Sequence, residues 1–111
     1  MQKVVLDTNA LLMPFELRIN LDYAVREVLG DVQFLVPGPL IGELKHLDHK
    51  FAKAALDLAR RYDIIPTEAS GDASVIELAI MKNAYVLTVD ETAMQAGLEY
   101  HVFDPDIIDG S

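Results

Sequence analysis

The chain has 111 residues, 51% of them hydrophobic and none of them cysteine. That is enough for one domain with a real core, and it excludes disulfides, thiolate zinc sites and thiol nucleophiles. Any metal must therefore be held by oxygen or imidazole. No apolar run approaches the ~18 residues of a membrane span. Met1-Gln2-Lys3 leads into only three apolar residues, too few for a signal-peptide core. The expectation is a soluble, cytoplasmic protein with no membrane partner. The formal charge of −9 argues against nucleic acid in sum but less so in distribution. Residues 1–44 carry three basic and six acidic groups, residues 45–61 five and two, and residues 62–111 one and ten. The basic stretch is Lys45 to Arg61.

In chain order, Val4-Val5-Leu6 reads as a strand, Leu11-Leu12-Met13 as a short helix, and Leu21 to Leu29 as a helix ending at Gly30. Val32 to Val36 is strand-like and stops at Pro37-Gly38-Pro39. Leu40, Leu44, Leu47 and Phe51 then recur at helical spacing, and Ala52 to Arg61 continues as helix. Ile64-Ile65 is a strand cut off by Pro66, and Thr67 to Gly71 is a loop. Val75, Ile76 and Ala79 repeat at helical spacing, Tyr85 to Val89 is a strand, Glu91 to Ala96 a short helix, and Tyr100 to Phe103 a last strand. Alternation of strands and helices predicts an α/β fold in three layers, with a central parallel sheet of about four or five strands, because each parallel connection needs a crossover. Residues 1–104 read as a single domain and 105–111 as a loose acidic tail.

In open α/β sheets, ligands bind beyond the carboxyl ends of the strands. Asp7 and Asp90 each close a predicted strand, so both would emerge on one edge; each is also explicable as a helix N-cap. Asp72 precedes Val75, Ile76 and Ala79 by three, four and seven positions, which predicts that it faces the core side. Glu43 falls on the margin of the stripe through Leu40 and Leu47. For these two, the structural alternatives are an N-cap after Ser70-Gly71 and a stripe-edge residue paired with a lysine. Four converging carboxylates repel, and either protonation or a bound cation relieves the repulsion, the cation being the economical answer. Hard oxygens without sulfur suit Mg2+ or Mn2+ better than zinc, and such an ion supports phosphodiester hydrolysis.

The segments Val5-Leu6-Asp7-Thr8-Asn9-Ala10-Leu11, Glu43-Leu44, Gly71-Asp72 and Leu87-Thr88-Val89-Asp90 together resemble the PIN-domain nucleases over nearly the whole chain. The resemblance implies a Mg2+- or Mn2+-dependent endoribonuclease acting on single-stranded RNA and leaving 5'-phosphate and 3'-hydroxyl ends. It assigns Asp7, Glu43, Asp72 and Asp90 as the catalytic and metal-binding quartet, with Thr8, Asn9 and Thr88 as hydrogen-bonding support. The stretch from Glu43 to Leu56 is similar to the rRNA-processing branch, while VapC-type toxins share the quartet. After Asp90 the branch usually carries a leucine and basic residues, which Glu91-Thr92-Ala93-Met94-Gln95 does not supply. The short chain and its few basic segments point to a homodimer, a ribosomal-RNA-processing partner or an antitoxin as the completion of RNA binding.

Lys45, Lys50 and Lys53 are the candidate RNA contacts; on one continuous helix, Lys45 and Lys53 would fall within about 80° of each other. A solvated helix face is the competing view. His46 and His49, three apart, lack a third ligand and read as surface histidines. The Leu44, Leu47, Phe51 and Ile76, Ala79, Ile80 series read as core stripes. Nothing places Ser70 or Ser74 with a histidine and an acid in a hydrolase triad. A phosphoacceptor module of the response-regulator type calls for adjacent early acids and a late lysine, both missing here. A haloacid-dehalogenase-like phosphatase calls for Asp at position 9, where the chain has Asn9. The remaining alternative is a catalytically silent PIN fold that binds RNA or a protein.

Overall fold

The computed structural model describes residues 1–88 and 101–103. The elements in order are β1 (Gln2–Leu6), α1 (Thr8–Leu17), α2 (Leu21–Leu29), β2 (Val32–Pro37), α3 (Gly38–His46), α4 (Ala52–Ala59), β3 (Asp63–Ile65), α5 (Gly71–Lys82), β4 (Tyr85–Thr88) and β5 (His101–Phe103). The sheet order is β3-β2-β1-β4-β5. Strands β3, β2, β1 and β4 are parallel, with helices on both faces in three layers. Strand β5 pairs antiparallel with β4, Val86 opposite Phe103. The expected parallel sheet is present as four strands, and the fifth joins it antiparallel at this edge, because periodicity identifies a strand without giving its direction. The expected helix at Glu91–Ala96, Asp90 itself and the tail 105–111 lie outside the described residues.

Strand β1 lies between β2 and β4, so its Val4-Val5-Leu6 run is fully buried, as a central parallel strand must be. Strand β3 is short and stops before Pro66, which suits an edge position. The core joins these strands to Leu11, Met13, Leu40, Leu44 and Leu78 from the helices. The chain moves outward from β1 through β2 to β3 and then returns to β4 on the other side of β1. The carboxyl ends of β1 and β4 therefore flank a topological switch point. Among the described residues, no helix is long and apolar enough to cross a membrane.

Two helical expectations are corrected. The stretch from Leu40 to Arg61 is two helices, not one. Leu47 takes extended backbone (ψ 126°), and the Phe51 N–H donates to His49 Nδ1 at 3.0 Å, replacing helical bonds with a local turn. Leu47 is consequently exposed, and the single-helix spacing that grouped Lys45 with Lys53 does not apply. On α5 the buried face runs through Ser74, Val75, Leu78 and Ala79, leaving Ile76 and Ile80 exposed.

Candidate active site

Three of the four sequence-selected acids belong to elements that reach the carboxyl edge of the sheet. Asp7 follows β1 directly and caps α1: its Oδ1 accepts the Ala10 N–H at 2.7 Å. The cap interpretation of Asp7 is thus realised through Oδ1. Asp72 sits in the first turn of α5 and is exposed. The expected core-facing orientation is corrected, because Asp72 lies beside the buried stripe rather than on it. Glu43, on α3, is also exposed.

Glu43 links the other two segments. Its Oε2 accepts a hydrogen bond from Thr8 Oγ1 at 3.4 Å, next to Asp7 in sequence. Its Oε1 accepts the Gly71 N–H at 3.1 Å, next to Asp72. The carboxylate therefore spans the first turns of α1 and α5, and the positive ends of two helix dipoles face it. Gly71 has φ +60°, a conformation that favours glycine, and an added Cβ would stand 3.9 Å from Glu43 Oε1. Ser70 makes no side-chain cap on α5, so Glu43 supplies from another helix an acceptor that capping normally provides locally.

Asn9 is exposed in the first turn of α1, and Thr88 ends β4. Asp90 lies outside the described residues. Lys45 is exposed in the last turn of α3 and Lys53 is exposed on α4. Lys50 is exposed in the turn between these helices, its Nζ 5.0 Å from the centre of the Phe51 ring. His49 is committed elsewhere: Nδ1 accepts from Phe51, and Nε2 lies 3.9 Å from Glu16 Oε2.

Sequence reasoning missed two residues that organise this edge. Ser74, fully buried, donates from Oγ to the Gly71 carbonyl oxygen at 2.6 Å. Glu77 accepts the Glu68 N–H at 2.8 Å and the Ala69 N–H at 3.1 Å. A serine three positions after a helix-opening glycine is a local signal for the first contact. Nothing local signals the second, because a glutamate on an amphipathic helix is ordinary.

Among the described residues, no three His, Asp or Glu side chains come together closely enough to hold a metal ion. The donor set nonetheless fits a hard cation: carboxylates of Asp7 and Glu43 on elements joined through Thr8, with Asp72 beside Gly71. Mg2+ ordinarily takes one or two carboxylates and keeps several waters. An open groove of about 960 Å³, lined in part by Phe15, Phe34, Arg61 and Tyr62, lies instead at the amino edge, away from these acids.

A family model described as a PIN-like domain matches residues 4–102, and the chain belongs to that family. The PIN domain endonuclease Utp24 is similar in fold, with a TM-score of 0.67 at 22% identity over 84% of this chain and 74% of that one. No curated protein matches the chain.

Proposed function

We propose that this chain is a metal-dependent endoribonuclease that hydrolyses phosphodiester bonds of single-stranded RNA. Asp7, Glu43, Asp72 and Asp90 hold Mg2+ or Mn2+. The observation that carries it is the Glu43 carboxylate, which touches the neighbours of both Asp7 and Asp72 at the switch point of a PIN fold. When bound, the ion supplies Lewis acidity toward a phosphoryl oxygen and activation of water.

The chain's own residues prepare that edge. The Ala10 N–H fixes the rotamer of Asp7, and Thr8 with Gly71 fixes both oxygens of Glu43. The amino ends of α1 and α5 favour negative charge, which offsets repulsion among the acids and suits an incoming phosphate. Lys45, two residues after Glu43, with Lys50 and Lys53 on the following turn and helix, provides RNA-phosphate contacts. RNA as substrate rests on family membership and this basic stretch.

The test is incubation of single-stranded RNA with the protein and Mn2+ beside Asp7→Asn. Asparagine caps a helix as well as aspartate does, so the variant keeps its fold. Cleavage by the native chain that falls about a hundredfold or more in the variant supports the enzyme, since even groups behind the ligands cost 10–100-fold. Equal cleavage by both removes Asp7 from the site. A second reading is a PIN fold that binds a protein or RNA without cutting, and the net charge of −9, which hinders capture of an RNA substrate, weighs toward it against catalysis. RNA binding without cleavage in the same experiment selects it.

A further inference from the structure

The loop between β3 and α5, residues 66–70, leads to Asp72, and carboxylates hold its backbone from two sides. Glu77 takes the Glu68 and Ala69 N–H groups at 2.8 and 3.1 Å, while Glu43 takes the Gly71 N–H at 3.1 Å. Within the loop, Thr67 Oγ1 donates to the Ala69 carbonyl oxygen at 2.8 Å. The Glu68 backbone bond lies in exposed surroundings, where water would serve that amide, while the Ala69 bond is partly buried. What Glu77 adds is order. With residues 68 and 69 fixed, only Ser70 separates the clamp from Gly71, whose N–H reaches Glu43.

We infer that Glu77 is a positioning residue for the proposed metal site. Through the loop amides it fixes the approach of the first turn of α5, and so sets Asp72 against Glu43 without binding the ion itself. This assignment rests on the metal site proposed above. Glu77 lies on the second turn of α5, and alanine there preserves helix propensity, so its removal loosens the loop rather than the helix.

The test uses the full chain, with Mn2+ alone as probe, in the native form, Glu77→Ala, Glu77→Gln and Asp7→Asn. Amide exchange at Glu68, Ala69 and Gly71 should accelerate in Glu77→Ala, while Val4 and Val5 in β1 keep their protection. Mn2+ affinity should weaken about tenfold, the lower end of what groups supporting metal ligands contribute. Glu77→Gln, which keeps one acceptor oxygen, should fall between. Faster loop exchange with native Mn2+ affinity, where Asp7→Asn has lost binding, overturns the positioning role alone. If the native chain itself does not bind Mn2+, the metal site fails and the inference fails with it. Loss of β1 protection in both Glu77 variants also overturns it, since Glu77 would then support the fold rather than the site.

Discussion

The two ends of the sheet hold their charges by different means. At the carboxyl edge, acids are held by neutral donors: Asp7 by the Ala10 N–H, Glu43 by the Thr8 hydroxyl and Gly71 N–H, Glu77 by two loop amides. At the amino edge, opposite charges hold one another. Arg26 meets Asp22 at 2.9 Å and Asp31 at 3.3 Å. Neutral donors orient a carboxylate while leaving its negative charge in place; a guanidinium cancels it. The first arrangement suits attraction of a cation, and the second suits fastening α2 to the start of β2.

The largest effect expected from breaking this contrast is at Gly71. Gly71→Ala places an L side chain at φ +60° and should cost about 1–2 kcal/mol in urea unfolding. It should weaken Mn2+ binding as well, because the Gly71 N–H shifts from Glu43. Gly30, at φ +77° and ψ −144° before β2, is the control: Gly30→Ala should carry a backbone cost at least as large, with Mn2+ binding intact. Equal metal binding in both variants would show that the Gly71–Glu43 contact does not matter. A smaller effect follows at the amino edge. Arg26→Ala removes two exposed ion pairs and should cost about 1 kcal/mol or less, shrinking with added salt, with RNA cleavage unchanged. The smallest concerns Tyr62, whose phenol is pushed above 10.0 by burial and by the neighbouring Asp22 charge. Below that pH both folded and unfolded chains are protonated there. Above it the unfolded chain ionises first, so stability is lost as pH rises. Urea midpoints across pH 10.0 should fall less for Tyr62→Phe than for the native chain.

Much of the fold was legible because burial writes period and composition into the chain. The fully apolar Val4-Val5-Leu6 marks a central strand, and the helix at Leu21–Leu29 was expected at its observed bounds. The break after His46 was not legible, since Leu47 and Phe51 keep helical spacing across it and the turn depends on a contact from the His49 ring. The direction of β5 was not legible either, because pairing sense is a tertiary choice.

At the site, Asp7 was readable as a strand-end acid, and the resemblance selected Glu43 and Asp72. Asp72 lies off the buried stripe because Ile76 and Ile80, apolar and at helical spacing, are exposed, which turns the true stripe away from it. Glu77 was invisible for a further reason: its partners are backbone amides eight and nine residues away, and amides carry no sequence signal.

The central claim is that a divalent cation binds at the carboxyl edge, and paramagnetic broadening of amide NMR signals by Mn2+ tests it directly. Signals from residues 7–9, 43 and 71–73 should broaden at the lowest Mn2+ concentrations, while those of Asp22, Asp57 and Asp63 around the amino-edge groove stay sharp. Broadening that begins at the groove acids, or spreads evenly over the acidic surface, would contradict it.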